Sequence, residues 1–102
     1  MKSRTVSFSD RAQDDLLEIE VWLESQAGKR RARSYVDRLI EACMKLDLAS
    51  NRGTNRSDLF FGLRTIGFER RVTIAFTVDD TNVLIVRLFA AGRDWAAELS
   101  ED

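Results

Sequence analysis

Two stretches in the second half of the chain decide the fold: Val72-Thr73-Ile74-Ala75-Phe76-Thr77-Val78 and Val83-Leu84-Ile85-Val86-Arg87-Leu88-Phe89-Ala90. In the first, large apolar side chains recur at every second position, which predicts a β-strand with one buried face. The second is apolar on both faces apart from Arg87, and this is the pattern of a central strand covered on both sides. Asp79-Asp80-Thr81-Asn82 joins the two and predicts a hairpin turn.

Working backwards from these strands, Leu63–Phe68 predicts a short strand that leads into a turn at Glu69-Arg70. The polar stretch Ser50–Asn55 predicts a turn segment before it. At the other end of the chain, Val6 and Phe8 alternate with Ser7, so a first strand is expected over residues 4–8.

Two helices are expected between the first strand and the rest. The first has Ser9 and Asp10 as candidate N-caps and runs to about Gln26, with an inward stripe at i, i+4, i+7 and i+11: Ala12, Leu16, Ile19, Leu23. Asp14 and Asp15 lie in its early turns, where negative charge complements the helix dipole. Gly28 ends this helix, and a second is expected over residues 29–49, with Cys43 on its buried side.

The predicted order is therefore β-α-α-β-β-β, a small α+β fold. The short connection at Ala27-Gly28 makes the helices an N-terminal hairpin, which packs on a mostly antiparallel sheet. A short final helix is expected to begin at Asp94. Residues 1–102 are interpreted as one domain, because the chain is too short for two cores.

Composition narrows the function. The chain is 44% hydrophobic and 32% charged, with no long apolar run, so we expect a soluble protein without a membrane partner. A single cysteine and no secretory signal predict a reducing cytoplasm. The net charge of −1 hides a basic middle, since residues 27–56 carry eight basic and three acidic side chains. Such asymmetry favours directional contacts with proteins over general nucleic-acid binding.

Conventional catalytic chemistry is not predicted. The chain has no histidine and one cysteine, which leaves no Ser-His or Cys-His pair and no ordinary zinc site. Its five glycines are scattered and form no phosphate-binding loop. We therefore expect no cofactor, no metal and no enzyme activity, and a protein that acts by binding other proteins.

Three features are candidates for binding. The first is Arg87, which interrupts an apolar strand and is expected on the same side of the pleat as Val83, Ile85 and Phe89. A charge in this setting either pairs with a carboxylate, Asp94 or Glu98, or marks an open face of the sheet. Arg64 is expected to share that face. The second candidate is the start of helix two, where cations oppose the helix dipole and favour an acidic partner: Lys29, Arg30, Arg31. The third lies beside the core stripe of helix one and is either covered by loops or an apolar interface: Leu17, Val21, Trp22.

A set of residues along the whole chain carries a resemblance to a known family. In the helices, it consists of Ser9, Ala12-x-x-Asp15-Leu16-x-x-Ile19-x-x-Trp22 and Ala32-x-x-Tyr35. In the strands, it consists of Gly62-Leu63-Arg64, Arg71–Phe76 and Val83–Leu88, followed by Gly92-Arg93-Asp94. Taken together, these residues resemble the ParE toxins of the ParE/RelE superfamily. The chain departs from the family at Asn51-Arg52-Gly53, where a proline is frequent.

The resemblance implies the toxin of a type II toxin–antitoxin system. Such toxins are thought to poison DNA gyrase, and a ParD-like antitoxin neutralises them in a hetero-oligomer that reaches DNA only through the antitoxin. An antitoxin segment suits the apolar and basic residues Leu17, Val21, Trp22, Lys29, Arg30, Arg31 and Arg64. For the gyrase-contacting surface, the expectation is Arg87, Arg93, Asp94 and Trp95.

Two alternatives remain. A RelE-like ribosome-dependent mRNA endoribonuclease shares the fold but commonly uses several cations with a tyrosine or histidine near the C-terminus. Here the one tyrosine is Tyr35 in helix two, and residues 93–102 are acidic. The second alternative is a nontoxic protein-binding module that kept the fold.

Overall fold

The alternating stretches of residues 72–90 form the two longest strands of a mixed five-stranded sheet. The computed structural model describes residues 3–48 and 51–90. Its strands are β1 (Thr5–Phe8), β2 (Thr54–Asn55), β3 (Arg64–Phe68), β4 (Val72–Val78) and β5 (Asn82–Ala90). They lie in the order β1-β5-β4-β3-β2, in which β1 pairs with β5 in parallel and all other neighbours are antiparallel.

Two helices form the predicted hairpin, α1 (Asp10–Ala27) and α2 (Lys29–Met44). Ser9 caps α1, because its Oγ accepts a hydrogen bond from the Ala12 N–H at 3.0 Å. Gly28, with φ of 87°, separates the helices and donates its N–H to the Glu24 carbonyl. A left-handed φ of this kind suits glycine, so the predicted break is confirmed at this residue.

The main core lies between the helix pair and one face of the sheet. Its largest fully buried members include Phe76, Ile85 and Leu39, which come from β4, β5 and α2. Burying each such side chain contributes about 1.5–3 kcal/mol to folding. A smaller cluster of Leu63, Ala75 and Phe89 lies apart from this core, so β5 has buried residues in both clusters, as its sequence predicts.

A bulge in β5 changes which side chains share a face. Ala75 pairs with Arg87 whereas Phe76 pairs with Ile85, so Val86 is the extra residue. The expectation that Arg87 shares a face with Val83 and Ile85 is therefore wrong: those two lie in the main core, and Arg87 lies with Phe89.

Two element boundaries also differ from the prediction. The α-helix ends at Met44 and gives way to a 3₁₀ turn over Lys45–Asp47, short of the expected end at residue 49. Thr54-Asn55, expected in a turn, pairs with β3 as the edge strand β2. The predicted final helix at Asp94 lies outside the described residues. Among those described, no helix has the length and apolar character needed to cross a membrane.

Candidate partner-binding surfaces

An apolar patch lies on the outer side of α1. Leu17, Val21 and Trp22 are 63%, 67% and 49% exposed, and together with Glu18 they line one apolar surface. They occur at i, i+4 and i+5, so they share a helix side that the core stripe leaves free. The sequence left open whether loops cover these three side chains or whether they form an exposed apolar surface. In the described part of the chain, they are exposed. Contiguous apolar patches of this kind are typical of interaction sites.

The start of α2 is basic and open. Lys29, Arg30 and Arg31 are exposed, no side chain caps this helix, and no acidic residue lies in its first turn. Four residues into α2, Arg33 does have acidic neighbours, with Asp37 and Glu20 each at 3.6 Å. The first three cations therefore face a helix N-terminus that they destabilise, which is the charge pattern expected of a surface that binds an anion-bearing partner.

Arg64 lies apart from both of these surfaces. Its guanidinium donates to the backbone carbonyls of Asn51, Arg52 and Gly53, the first two at 2.6 and 3.0 Å. Its cross-strand partner is Phe76 of the main core, so Arg64 points to the helix side of the sheet. The expectation that it shares a face with Arg87 is wrong. Arg64 fixes the segment before β2, and its charge is already occupied by carbonyl oxygens.

Arg87 forms a buried ion pair with Asp15 of α1. The Arg87 Nε and Nη2 donate to the two carboxylate oxygens at 2.9 and 3.1 Å, and the side chains are 11% and 4% exposed. The guanidinium also lies 4.6 Å from the centre of the Phe89 ring. The sequence left two alternatives for Arg87, a pair with Asp94 or Glu98 or an open face, and assigned Asp15 to the helix dipole. Asp94 and Glu98 lie outside the described residues, and Arg87 is buried.

Asp15 also completes the hydrogen bonding of β5. Strand β1 ends at Phe8, beside Ile85, so no strand among the described residues pairs with the next part of β5 on that side. Ser9 Oγ donates to the Val86 carbonyl at 2.7 Å, and the Leu88 N–H donates to Asp15 at 2.9 Å. The carboxylate thus replaces a missing strand partner. The signal that could have found it is its position in sequence, three residues after Ala12 and four before Ile19 on the buried stripe.

A groove that sequence analysis missed runs between α2 and the β3–β4 hairpin. At one end, Tyr35 packs edge-on against Phe68, with ring centres 5.4 Å apart, and its hydroxyl donates to the Phe68 carbonyl at 3.5 Å. Arg38 lies 5.5 Å from the Tyr35 ring and forms two hydrogen bonds of 3.0 Å to Glu69. We call this the α2–β3 groove.

Neither Cys43 nor Tyr35 is activated as a nucleophile. Burial raises the pKa of the Cys43 thiol to about 12 and, with the charge of Glu69, raises the pKa of Tyr35 to about 12 as well. Both groups are therefore protonated at neutral pH. Among the same described residues, no cluster of three or more His, Cys, Asp or Glu side chains is placed to hold a metal ion.

The predicted site residues thus fall on separate surfaces. The α1 patch and the basic start of α2 both belong to the helix hairpin, whereas Arg64 and Arg87 serve the sheet and its connections. Arg93, Asp94 and Trp95 lie outside the described residues. Phe61 is a further exposed apolar residue, at 92%, and no pattern in the sequence marked it.

The fold is a small α+β architecture with exposed apolar and basic surfaces on its helix hairpin. Comparison with family models identifies the kind of protein: the model of the ParE toxin of the type II toxin–antitoxin system parDE matches residues 6–95. The chain therefore belongs to the ParE toxin family. A search of curated proteins gave no match.

Solved structures share the fold. A chain of the chromosomal ParDE toxin–antitoxin system from Pseudomonas aeruginosa superimposes with a TM-score of 0.75 at 24% identity, covering 86% of this chain and 96% of that one. A chain of the RelBE2 toxin–antitoxin complex from Mycobacterium tuberculosis gives 0.67 at 19% identity, covering 91% and 97%. A conserved hypothetical protein from Helicobacter pylori gives 0.56 at 13% identity, covering 88% and 97%. The predicted two-helix, mostly antiparallel architecture is confirmed.

Proposed function

We propose that this toxin inhibits DNA gyrase by direct binding and that a ParD-like antitoxin neutralises it. The observation that carries the proposal is the match to the ParE family over residues 6–95. The P. aeruginosa structure of similar fold comes from a ParDE system, which supports an antitoxin of that type here.

The positions of the arginines favour binding over RNA cleavage. A RelE-like nuclease needs cations available to the scissile phosphate and a group that activates the 2′-hydroxyl. Arg64 is engaged by three backbone carbonyls and Arg87 by Asp15. The hydroxyl of Tyr35 contacts a backbone carbonyl and has a pKa of about 12. These groups hold the fold together and are not arranged around a common substrate position.

For the antitoxin, the proposed contact is the α1 patch together with the basic start of α2. Leu17, Val21 and Trp22 supply apolar area, and Lys29, Arg30 and Arg31 supply charge for an acidic segment. Arg64 has an indirect part in this proposal, because it holds the backbone of residues 51–53 in place before β2. For gyrase, the proposed contact is the segment after β5, with Arg93, Asp94 and Trp95, and Arg87 anchors the strand from which that segment continues.

The target is tested by adding the purified protein to gyrase supercoiling and to ribosomal translation in parallel. Loss of supercoiling with intact translation is the expected result. Cleavage of mRNA on ribosomes would instead assign the RelE-like activity, and no effect in either reaction would assign a nontoxic binding module.

The antitoxin contact is tested with the protein encoded next to the toxin gene, expected to be a ribbon-helix-helix protein with an acidic tail. We expect the double variant Leu17→Ser/Val21→Ser to fold normally, because both side chains are exposed, and to bind this protein at least about tenfold more weakly. Phe61→Ser, which removes an exposed apolar side chain elsewhere, is the matched control and should bind normally. Equal binding by all three proteins would exclude the α1 patch from the contact.

A further inference from the structure

The connection between β2 and β3 presents two phenylalanine side chains to solvent. Phe61 is 92% exposed and its neighbour Phe60 is 49% exposed; we call residues 56–63 the β2–β3 loop. A phenylalanine has about 150–250 Å² of surface to bury, so the two rings leave roughly 200–350 Å² of aromatic surface in water. Phe61 buries almost none of its ring in this fold. The burial that can stabilise it must therefore come from a partner.

The β2–β3 loop is held in shape by hydrogen bonds of its own. The Arg56 N–H donates to the Leu63 carbonyl at 2.8 Å and so joins the two ends of the loop, and the Leu63 N–H donates to the Phe60 carbonyl at 2.9 Å. Arg56 and Asp58 form a bidentate pair, with both contacts at 3.0 Å. Gly62 turns the chain after the two rings with a φ of 80°, which suits glycine. Rings on a pre-organised loop lose little conformational entropy on binding, and this favours their use as an anchor.

The tip of the β2–β3 loop is apolar and carries no net charge. The charged side chains of residues 56–63 are Arg56 and Asp58, which neutralise each other in the bidentate pair. The start of α2 differs, because Lys29, Arg30 and Arg31 give it three positive charges. An acidic segment therefore suits the helix hairpin, whereas the group that recognises the loop is an apolar pocket.

The β2–β3 loop packs on the side of the sheet away from the helix pair. Leu59 contacts the small cluster of Leu63, Ala75 and Phe89, and Ala75 lies between two main-core residues of β4, so its side chain is on the opposite face of that strand. Phe89 is the last residue but one of β5, and Arg93 of the proposed gyrase contact follows it by four residues. Four residues span at most about 14 Å, whereas a standard interface covers about 800 Å² on each partner and is roughly 30 Å across. One interface can therefore include both the loop and the segment after β5.

We propose that the β2–β3 loop is the aromatic anchor of the contact with the target protein, with Phe61 inserted into an apolar pocket of that protein and Phe60 packed at the edge of the pocket. Given the function proposed above, on which this identification of the partner rests, the target is gyrase. A second copy of this chain is a poorer occupant, because the roughly 200–350 Å² of the two rings is well below the about 800 Å² per partner that a stable dimer buries. In the gyrase contact, the rings add to the area of the segment after β5.

The test measures the affinity of the full chain for reconstituted gyrase by calorimetry. Phe61→Ser should bind at least about tenfold more weakly, whereas Phe61→Leu, which keeps an apolar side chain, should lose only about threefold. Met44→Ser removes another exposed apolar side chain, 46% exposed at the end of α2, and is the matched control that should bind normally. Urea unfolding checks that each variant is folded. Equal affinity of Phe61→Ser and the unaltered chain, or equal losses in Phe61→Ser and Met44→Ser, would overturn the proposal.

Two further measurements separate gyrase from other occupants of the loop. In sedimentation velocity, the unaltered chain and Phe61→Ser should have the same sedimentation coefficient, and a dimer that Phe61→Ser abolishes would assign the loop to a second copy. Phe61→Ser should bind the protein encoded next to the toxin gene normally. A tenfold loss of that binding would assign the loop to the antitoxin, and either result would overturn the proposal.

Growth arrest on expression in bacterial cells separates this inference from the proposed function, because it requires no assumption about the target. If the unaltered chain arrests growth and Phe61→Ser does not, while gyrase binds neither protein, gyrase is the wrong target and the loop is supported as the anchor for another one. If gyrase binds both proteins equally and both arrest growth, the proposed function stands and the loop is not the anchor. A chain that neither arrests growth nor binds gyrase would overturn both.

Discussion

The buried pair between Arg87 and Asp15 predicts a large, non-additive loss of stability when it is broken. Arg87→Met leaves the Asp15 carboxylate buried without the guanidinium, and Asp15→Leu removes the acceptor of both the guanidinium and the Leu88 N–H. Removing one partner of such a pair costs about 3–5 kcal/mol. For a domain whose total stability is about 5–15 kcal/mol, such a loss amounts to between about a fifth and the whole of that stability.

The double variant should recover most of this loss. Replacing both partners of a buried ion pair by apolar side chains is often close to neutral, so the remaining cost comes from the unpaired Leu88 N–H, about 1–3 kcal/mol. The two single losses together amount to about 6–10 kcal/mol, and the double variant should therefore show a coupling of at least about 3 kcal/mol. Urea unfolding followed by circular dichroism measures all four proteins.

Additive losses, with a coupling below about 0.5 kcal/mol, would refute this account of the pair. A parallel cycle on Arg38 and Glu69 provides the control. That pair has similar geometry but is exposed, and its coupling should be much smaller. The result also affects how functional assays are interpreted. If an Arg87 variant is unfolded, its loss of toxicity reports the loss of the fold and not the loss of a contact with the target.

Three further predictions concern the loops. Gly53→Ala should destabilise the fold by more than about 2 kcal/mol in urea unfolding, because φ is +85° and a Cβ would lie 2.3 Å from the Thr65 carbonyl oxygen; an unchanged midpoint would contradict this. Arg70→Gly should raise the melting temperature by about 2–4 °C, since Arg70 has a φ of 60°, and a lower temperature would argue against strain in the turn. The Thr81 and Asn82 N–H groups lower the pKa of Asp79 below its usual 3.8, so the stability that this carboxylate adds is complete above that pH and is lost as the pH falls through the lowered value. Asp79→Asn should therefore lose less stability between pH 5 and 2 in unfolding titrations, and parallel curves would exclude this role.

Much of the fold was readable from the sequence because it depends on local patterns. Alternation along β4 and β5, helical spacing in α1 and α2, and the glycine at position 28 each fix one element through interactions within a few residues. The bulge at Val86 was not readable, since it depends on how β5 meets its neighbour. The two-residue strand β2 was missed because Thr54 and Asn55 have no apolar pattern and pair only through backbone groups.

The binding surfaces could be predicted only in part, because only some of them depend on local patterns in the sequence. The exposed side of α1 follows from helical periodicity, so Leu17 and Val21 could be placed correctly. The Asp15 and Arg87 pair joins residues 72 positions apart, and the α2–β3 groove exists only where α2 faces the β3–β4 turn. The spacing of Asp15 places it on the buried stripe of α1, but no pattern in the sequence identifies Arg87 as its partner or predicts the groove. The pair and the groove become visible once the tertiary structure brings the elements together.

The central claim is that this toxin acts by occupying its target and not by turnover. The most direct measurement titrates the protein against a fixed amount of gyrase on relaxed plasmid and records both inhibition and strand breaks. We predict that inhibition rises with the ratio of toxin to gyrase, reaches a plateau near a fixed stoichiometry and does not increase with time. Progressive inactivation by trace toxin, or nucleic acid cleaved in large molar excess over toxin without gyrase, would contradict the claim.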